Sequence, residues 1–158
     1  MSEALSPAAQ RVQELLRAAG SEAQVKQLPV TARTAVDAAA AIGCAVAQIA
    51  KSLVFKARGG KPVLVIASGV NRVNEGKIAA ALGEPIGKVD ANFVRDTTGY
   101  AIGGVAPIGH ATPPRIFIDE DLRQHAILWA AAGHPHAVFP SSPAELERLT
   151  RGTVIEVK

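Results

Sequence analysis

Two places in this 158-residue chain carry residues suited to chemistry: Lys51, and a glycine-rich segment at positions 95–110. The segment reads RDTTGYAIGGVAPIGH and contains neither serine nor cysteine, so the usual strong nucleophiles are missing from it. Because glycine has no Cβ, Gly103 and Gly104 can bring main-chain N–H groups against a carbonyl or phosphate oxygen. An ordinary connection between two elements has a similar composition, so both interpretations remain open at this point.

Lys51 lies between Ala50 and Ser52, directly before the apolar residues at positions 53–55. A lysine placed there is held beside a buried strand, where it could contact a substrate or block pairing with another sheet. His110 closes the glycine-rich segment. Its side chain could act as a base, contact a substrate or simply face solvent.

The other candidate groups favour structural roles. His134 and His136 are close in sequence, but no third ligand is placed near them, so the pattern does not favour a metal site. Asp96 is most simply a turn former, and Asp119 and Glu120 are most simply solvated charges at a strand end. A catalytic carboxylate pair among these three acids is the less favoured hypothesis.

The composition indicates one globular domain spanning residues 1–158, with 48% apolar and 20% charged residues. The net charge of +3 suits a polyanionic partner without demonstrating one. The lone Cys44 can form neither a disulfide nor a cysteine metal cluster within the chain. No apolar run reaches the length that spans a bilayer, and the N-terminus lacks a targeting pattern, so we expect a soluble, cytoplasmic protein without a membrane partner.

Caps and periodicity predict an α/β fold. Helices are predicted at 7–19, 35–43, 74–82, briefly after 90, and at 143–150. Strands are predicted at 25–28, 51–57, 62–68, 115–119, 126–131, 136–139 and 154–157. Hairpins mixed with helices, without regular strand–helix alternation, indicate a mixed sheet that curls toward a barrel. The phosphate loop, the dinucleotide-binding fingerprint and the serine nucleophile elbow do not occur in the sequence, which argues against a nucleotide-binding regulator and a serine hydrolase.

Several motifs also occur together in a fixed order. AKSLV at positions 50–54 is followed by VNEGKIAAALG at 73–83, TGYAIGGVAPIG at 98–109 and IFID at 116–119. Together they resemble the YbaK family of free-standing aminoacyl-tRNA editing proteins, and the editing domain inserted in bacterial prolyl-tRNA synthetase. The resemblance covers nearly all of the chain after residue 30.

The resemblance implies a single editing domain with a central mixed, partly barrel-like sheet surrounded by helices. It implies a trans-editing hydrolase that cleaves the ester of a mischarged aminoacyl-tRNA, carrying a small amino acid on proline tRNA or a related tRNA. An aminoacyl ester is already activated, so a positioned water and a stabilised oxyanion suffice without a metal or a cofactor. The expected partners are the acceptor end of an aminoacyl-tRNA and a synthetase or elongation factor that supplies tRNA specificity.

In the family, the lysine that matches Lys51 is essential and the GxxxP segment that matches positions 103–107 lines the aminoacyl pocket. Our hypothesis for the mechanism is that Lys51 binds and polarises the aminoacyl-adenosine end, the amides of Gly103 and Gly104 hold the carbonyl oxygen, and a bound water attacks. These three residues are the expected catalytic groups. The expected substrate-binding residues are Thr98, Gly99, Tyr100, Val105, Ala106, Pro107, Gly109 and His110.

One departure from the family bears on specificity. Members that clear cysteine from proline tRNA have a serine before the loop proline, where this chain has Ala106. The missing hydroxyl leaves apolar room for a small uncharged side chain, and alanine, serine, threonine and an aminobutyrate-like group all remain open. The alternative function is a non-catalytic module that binds tRNA ends or a synthetase on the same scaffold. Lys51 together with an intact glycine loop favours the enzyme.

Overall fold

The computed structural model of the protein describes residues 5–29 and 34–158. Within these ranges the helices are α1 (Pro7–Ala18), α2 (Ala35–Ile42), α3 (Glu75–Leu82), α4 (Ala91–Thr98) and α5 (Pro143–Thr150). The strands are β1 (Lys26–Gln27), β2 (Ile49–Ala57), β3 (Pro62–Ser68), β4 (Ile86–Gly87), β5 (Arg115–Asp119), β6 (Leu128–Ala131), β7 (Ala137–Ser141) and β8 (Thr153–Ile155). Short 3₁₀ turns at Val46–Gln48 and Glu120–Gln124 precede β2 and follow β5.

Polar caps explain where the helices begin. Each α-helix follows a residue whose side chain accepts a hydrogen bond from a backbone N–H of the first turn; these residues are Ser6, Thr34, Asn74, Asp90 and Ser142. Helices α2, α3 and α4 end at left-handed glycines, at positions 43, 83 and 99. The predicted helices are confirmed. They could be predicted because caps and glycine stops are local in the sequence.

The strands form one mixed sheet in the order β1-β7-β6-β2-β3-β5-β8, and β4 pairs with β2 in addition. The β2–β3 and β6–β7 pairs are antiparallel hairpins, whereas β2–β6, β3–β5 and β5–β8 are parallel. The predicted mixed α/β fold is confirmed. The described strands form an open path from β1 to β8, so the sheet does not close into a complete barrel.

Strand β2 is paired unevenly along its two edges. One edge pairs with β3 from Ala50 to Lys56. The other edge pairs with β6 at Ile49 and Ala50, and with β4 at Lys56 and Ala57. Among the described residues, the stretch 51–55 therefore has no strand partner on that second edge, and a gap opens between β6 and β4.

The register shows which backbone groups face this gap. The Gly69 N–H donates to the Ile49 carbonyl at 2.8 Å, so the odd-numbered residues of β2 direct their backbone groups toward β3. The even-numbered residues then direct theirs toward the opposite edge. The backbone N–H and C=O groups of Ser52 and Val54 consequently point into the gap.

Both faces of the sheet pack against other elements. One face packs on α1, α4, α5 and the glycine-rich segment; its buried residues include Val12, Leu16, Leu64, Ile66, Val94, Val105, Ile118 and Leu146. The other face packs on α3; its buried residues include Val63, Val65, Ala67, Ile78 and Phe117. These two cores fix β2 and β3 from both sides, so the open edge of β2 is held in a rigid frame.

Asp119 differs from the expectation of a solvated strand-end charge. Its side chain is 1% exposed and accepts hydrogen bonds from the Ser68 N–H at 3.0 Å, the Asn71 amide at 2.8 Å and the Asp121 N–H at 2.9 Å. The expectation is wrong because the turn after β3 folds over the end of β5 and supplies donors that replace water. Asp119 therefore links the turn that follows β3 to the 3₁₀ turn that follows β5.

Hydrogen bonds within the protein fix the path of the glycine-rich segment. The Thr98 hydroxyl donates to the Val94 carbonyl at 2.6 Å and accepts from the Tyr100 N–H at 3.0 Å. The Tyr100 hydroxyl donates to the Ile108 carbonyl at 2.7 Å and accepts from the Arg11 guanidinium at 3.1 Å. The segment is thus attached to α4 at its start and to α1 through Tyr100.

Gly104 allows this segment to lie directly against another stretch of backbone. A Cβ atom at Gly104 would lie 2.9 Å from the His134 Cα and from the Pro135 nitrogen. The Gly104 N–H donates to the Ala101 carbonyl at 3.0 Å and closes a turn. The absence of a side chain at Gly104 therefore sets the position of the whole loop relative to the β6–β7 hairpin.

His110 closes the segment from inside. Its Nε2 lies 2.7 Å from the Ala106 carbonyl oxygen, so this nitrogen carries the proton and donates. The Tyr100 ring meets the imidazole edge to face, with 6.1 Å between ring centroids. Burial lowers the pKa of His110, the Ala106 carbonyl opposes this shift, and the positive charge of Arg11 adds to it.

Replacing Gly104 with alanine should shift the loop and destabilise the protein. The new Cβ would meet backbone atoms that cannot rotate away, so we expect a loss of about 1–3 kcal/mol in the free energy of unfolding. Gly87→Ala is the matched control, because a Cβ at Gly87 has no atom within 4 Å. Equal unfolding free energies for the two variants, measured by chemical denaturation, would contradict this packing.

The stability of the protein should fall as the pH drops below about 6.5, the ordinary pKa of histidine. The lowered pKa of folded His110 means that the unfolded chain takes up a proton first, so the free energy of unfolding decreases with falling pH. His110→Asn should lack this part of the pH dependence, and His125→Asn should retain it. Chemical denaturation at pH 7.5 and pH 5.5 measures this dependence. If the free energy of unfolding changes by the same amount between these pH values in wild type and His110→Asn, the assignment is refuted.

Candidate functional site

A cavity of about 480 Å³ opens beside the unpaired stretch of β2. Residues 49–55 form one wall. The remaining walls come from α2, the β4–α4 connection, α4, the glycine-rich segment and the β6–β7 hairpin, and include Ala35, Ala38, Lys88, Val94, Ile102, Gly103, Val105, Trp129, Pro135 and Ala137. Its volume and largely apolar walls are typical of a site for a small organic ligand or one end of a larger one.

Lys51 places a charged group in this apolar wall. The side chain is half-buried, and burial lowers the pKa of its ammonium, while the negative charge of Asp119 opposes the shift. Because β2 lies in the middle of the sheet order, Lys51 is not on a terminal strand that needs protection from another sheet. A partly desolvated ammonium interacts more strongly with an oxygen of a bound ligand than one in water does.

Ser52 adds polar groups beside Lys51. Its Oγ atom is buried and has no hydrogen-bond partner among the described residues. Its backbone groups point into the gap, together with those of Val54. A buried hydroxyl and a free strand edge both need partners. A ligand in the cavity can supply them, so the wall formed by β2 has hydrogen-bonding capacity in spite of its apolar neighbours.

The glycine-rich segment contributes Gly103 and Val105 to the opposite wall. Gly103 has a φ of 86°, and its N–H has no partner among the described residues. Gly104 differs from the expectation, because its N–H is already bonded to Ala101 and the residue is buried outside the cavity walls. In this conformation the segment offers the Gly103 amide as a donor, and Gly104 sets its position.

Most of the other expected substrate-binding residues lie outside the cavity walls. Val105 is on the wall, whereas seven others are not: Thr98, Gly99, Tyr100, Ala106, Pro107, Gly109 and His110. Their contacts explain the difference, because Thr98, Tyr100 and His110 use their polar atoms inside the loop. Gly109 has a φ of 77° and packs tightly on Leu15 and Tyr100. Through these contacts Thr98, Tyr100, Gly109 and His110 shape the loop.

Ala106 also lies outside the cavity, and this position bears on substrate specificity. Its side chain is fully buried in the core that includes α1 and α4, and it does not line the cavity. The residue before the loop proline therefore has no direct contact with the space where a ligand would lie. The family difference at this position gives no direct measure of the aminoacyl group in this chain.

The histidines of the β6–β7 turn do not form a ligand cluster. The His134 and His136 rings are tilted, with centroids 5.3 Å apart, and the His134 Nδ1 accepts a hydrogen bond from the His136 N–H at 3.1 Å. Residues 5–29 and 34–158 contain no group of three or more His, Cys, Asp or Glu side chains placed to hold a metal ion. The neighbouring Pro135 belongs to the cavity wall instead.

Ser52, Lys88 and Trp129 line the cavity but were not among the expected site residues. Ser52 is a polar residue within an apolar strand, which is a weak signal. Lys88 is exposed at the cavity and lies between β4 and α4. Trp129 is the single tryptophan of the chain, and it reaches the cavity because β6 pairs in parallel with the start of β2. None of these positions follows from a local motif.

Comparison with known proteins identifies a family model and related proteins that match this chain. The model of the aminoacyl-tRNA editing domain matches residues 30–149. The chain is 30% identical over 129 residues to protein YwhH of Bacillus subtilis (strain 168), with 82% of each covered. It is 28% identical over 127 residues to "Putative Cys-tRNA(Pro)/Cys-tRNA(Cys) deacylase EbsC" of Enterococcus faecalis (strain ATCC 700802 / V583), covering 78% of this chain and 76% of that protein.

A solved structure supports the same relationship. It is described as a "putative trans-editing enzyme for prolyl tRNA synthetase", with a TM-score of 0.94 and 44% identity over 98% of this chain and 99% of that one. No helix among the described residues is long and apolar enough to cross a membrane. Because the family model matches most of the length of the chain, the chain belongs to the aminoacyl-tRNA editing domain family, as the resemblance to the YbaK proteins predicted.

Proposed function

We propose that this protein is a trans-editing deacylase, a single domain over residues 1–158 that hydrolyses the ester of a mischarged aminoacyl-tRNA. One observation carries the proposal: a partly desolvated lysine, an unpaired strand edge and a loop amide without a partner among the described residues line one cavity. The names of two related proteins, which refer to deacylation and trans-editing, support the same reaction. An acceptor end of tRNA is the expected ligand, and a synthetase or elongation factor is the expected source of tRNA specificity.

The proposed reaction needs positioning more than a strong nucleophile. The aminoacyl group lies along the edge of β2, where Ser52 and Val54 offer backbone donors and acceptors. The Gly103 N–H donates to the ester carbonyl oxygen, and the Lys51 ammonium polarises the same end of the substrate. A water molecule attacks the carbonyl carbon, the bond from this carbon to the ribose oxygen breaks, and the ribose oxygen takes up a proton. Free amino acid and deacylated tRNA leave.

The cavity favours a small aminoacyl group. Val54, Val94 and Val105 line it, and the same space of about 480 Å³ must also accept part of the terminal adenosine. Discrimination against one extra methylene group by such apolar walls is worth about 1–3 kcal/mol. The buried Ser52 hydroxyl would gain a partner from a polar group of the substrate. Cysteine, alanine, serine and threonine all satisfy the size limit.

Lys51→Ala should remove most of the deacylase activity. Loss of one donor to a developing oxyanion lowers the rate by about 10²–10³-fold. The fold should persist, because burial opposes the charged form of Lys51 and its removal relieves that cost. The measurement is deacylation of tRNAs charged with Cys, Ala, Ser, Thr or Pro. Lys61→Ala, in the exposed turn between β2 and β3, is the matched control.

Two outcomes would overturn this assignment. Wild-type rates from Lys51→Ala would show that the lysine takes no part in the reaction. Binding of tRNA without hydrolysis of any charged species by the wild type would leave a non-catalytic module that recognises tRNA ends or a synthetase.

A further inference from the structure

A second groove lies beside the cavity. It has a volume of about 760 Å³ and runs along β1 and the segments that flank it. Val25, Lys26, Pro29 and Pro140 are among its lining residues. Trp129 lines both the groove and the cavity. Trp129 is therefore a wall residue that the groove and the cavity share.

The strand register places this groove on the same face of the sheet as Lys51. Trp129 is the partner of Ile49 on β2 and of Pro140 on β7. Partners across a sheet share a face, and so do residues two apart on one strand, so Lys51 lies on the face that carries Trp129. Lys26 pairs with Val138, two residues before Pro140, and belongs to the same face.

The spacing along this face fits a short run of nucleotides. Three strand spacings separate β2 from β1, which places Lys26 roughly 14 Å from Lys51 across the sheet. Trp129 lies on the intervening strand β6, two residues along that strand from the position level with the two lysines. Proteins that bind single-stranded nucleic acid combine a basic track for the phosphates with aromatic side chains for the bases. Lys26 is exposed and Trp129 is half-buried, as these roles require.

We propose that the groove binds the nucleotides that precede the terminal adenosine of the tRNA. All tRNAs end in the single-stranded sequence CCA, so these nucleotides are cytidines. The penultimate base stacks on the Trp129 indole, and a phosphate of the same strand lies near Lys26. The inference rests on the proposed function, because it places the aminoacyl ester at Lys51 and leads the strand away from it toward β1.

A fluorescence titration with the uncharged trinucleotide CCA tests the groove directly. Trp129 is the single tryptophan of the chain and lines both the groove and the cavity, so adenosine monophosphate serves as the control for binding in the cavity alone. We expect a saturable change in emission, at least fivefold weaker binding by Lys26→Gln at low salt, and a salt slope reduced by about 0.7 in that variant. Lys61→Gln should bind as the wild type does. No change in emission, or the same change with adenosine monophosphate alone, would overturn the proposal.

Kinetics separate the groove from the catalytic cavity. Lys26→Gln should raise the KM for aminoacyl-tRNA by at least about fivefold with little change in kcat, because Lys26 lines the groove and not the cavity. The same variant should hydrolyse aminoacyl-adenosine, which lacks the cytidines, as the wild type does. Trp129→Leu should raise the KM for aminoacyl-tRNA more than Trp129→Phe does, because phenylalanine retains a stacking surface. Equal losses by Lys26→Gln on both substrates would overturn the proposal.

The two proposals can fail separately. If the wild type hydrolyses no aminoacyl ester, the deacylase function fails, while the CCA titration still decides whether the groove binds cytidines. If hydrolysis is normal but neither Trp129→Leu nor Lys26→Gln changes the KM for aminoacyl-tRNA, the groove proposal fails and the deacylase stands.

Discussion

The structure depends on an interruption in the hydrogen bonding of one central strand. Strand β2 is paired with β3 on one edge, but on the other edge it meets β6 only at its start and β4 only at its end. Backbone N–H and C=O groups at a buried edge must find partners, so the edge between β6 and β4 favours a ligand with donors and acceptors of its own. The two hydrophobic cores keep this gap open, because both faces of the strand are packed.

The glycine-rich segment shows how a loop without regular structure acquires a fixed shape. Tyr100 and His110 satisfy its carbonyl groups from inside, and Gly104 allows it to lie against the backbone of the β6–β7 turn. With these contacts made within the protein, the Gly103 N–H has no partner among the described residues, and neither do the N–H groups of Ile102 and Val105 on the same wall. A main-chain donor held in this way needs little reorganisation when a negative charge develops on a bound oxygen.

The sequence predicted those features that depend on local signals. Helix caps, glycine stops and the two long β-rich segments identified most elements, and the motif order identified the family. It did not predict the two-residue strand β4 or the burial of Asp119, because both depend on contacts distant in sequence. Lys51, Gly103 and Val105 lie on the cavity wall, whereas Tyr100 and His110 do not. A motif marks a loop, but the packing around the loop decides which of its atoms face a ligand.

The proposed function requires the open edge of β2 and the Gly103 amide to hold the aminoacyl end of the substrate. An aminoacyl-adenosine analogue with an amide in place of the ester would occupy the site without being hydrolysed. In a ¹H–¹⁵N NMR titration with this analogue, we predict the largest shifts at the backbone amides of Ser52, Val54 and Gly103. Saturable shifts confined to α3, around Ile78, which does not line the cavity, with these three amides unchanged, would contradict this binding mode.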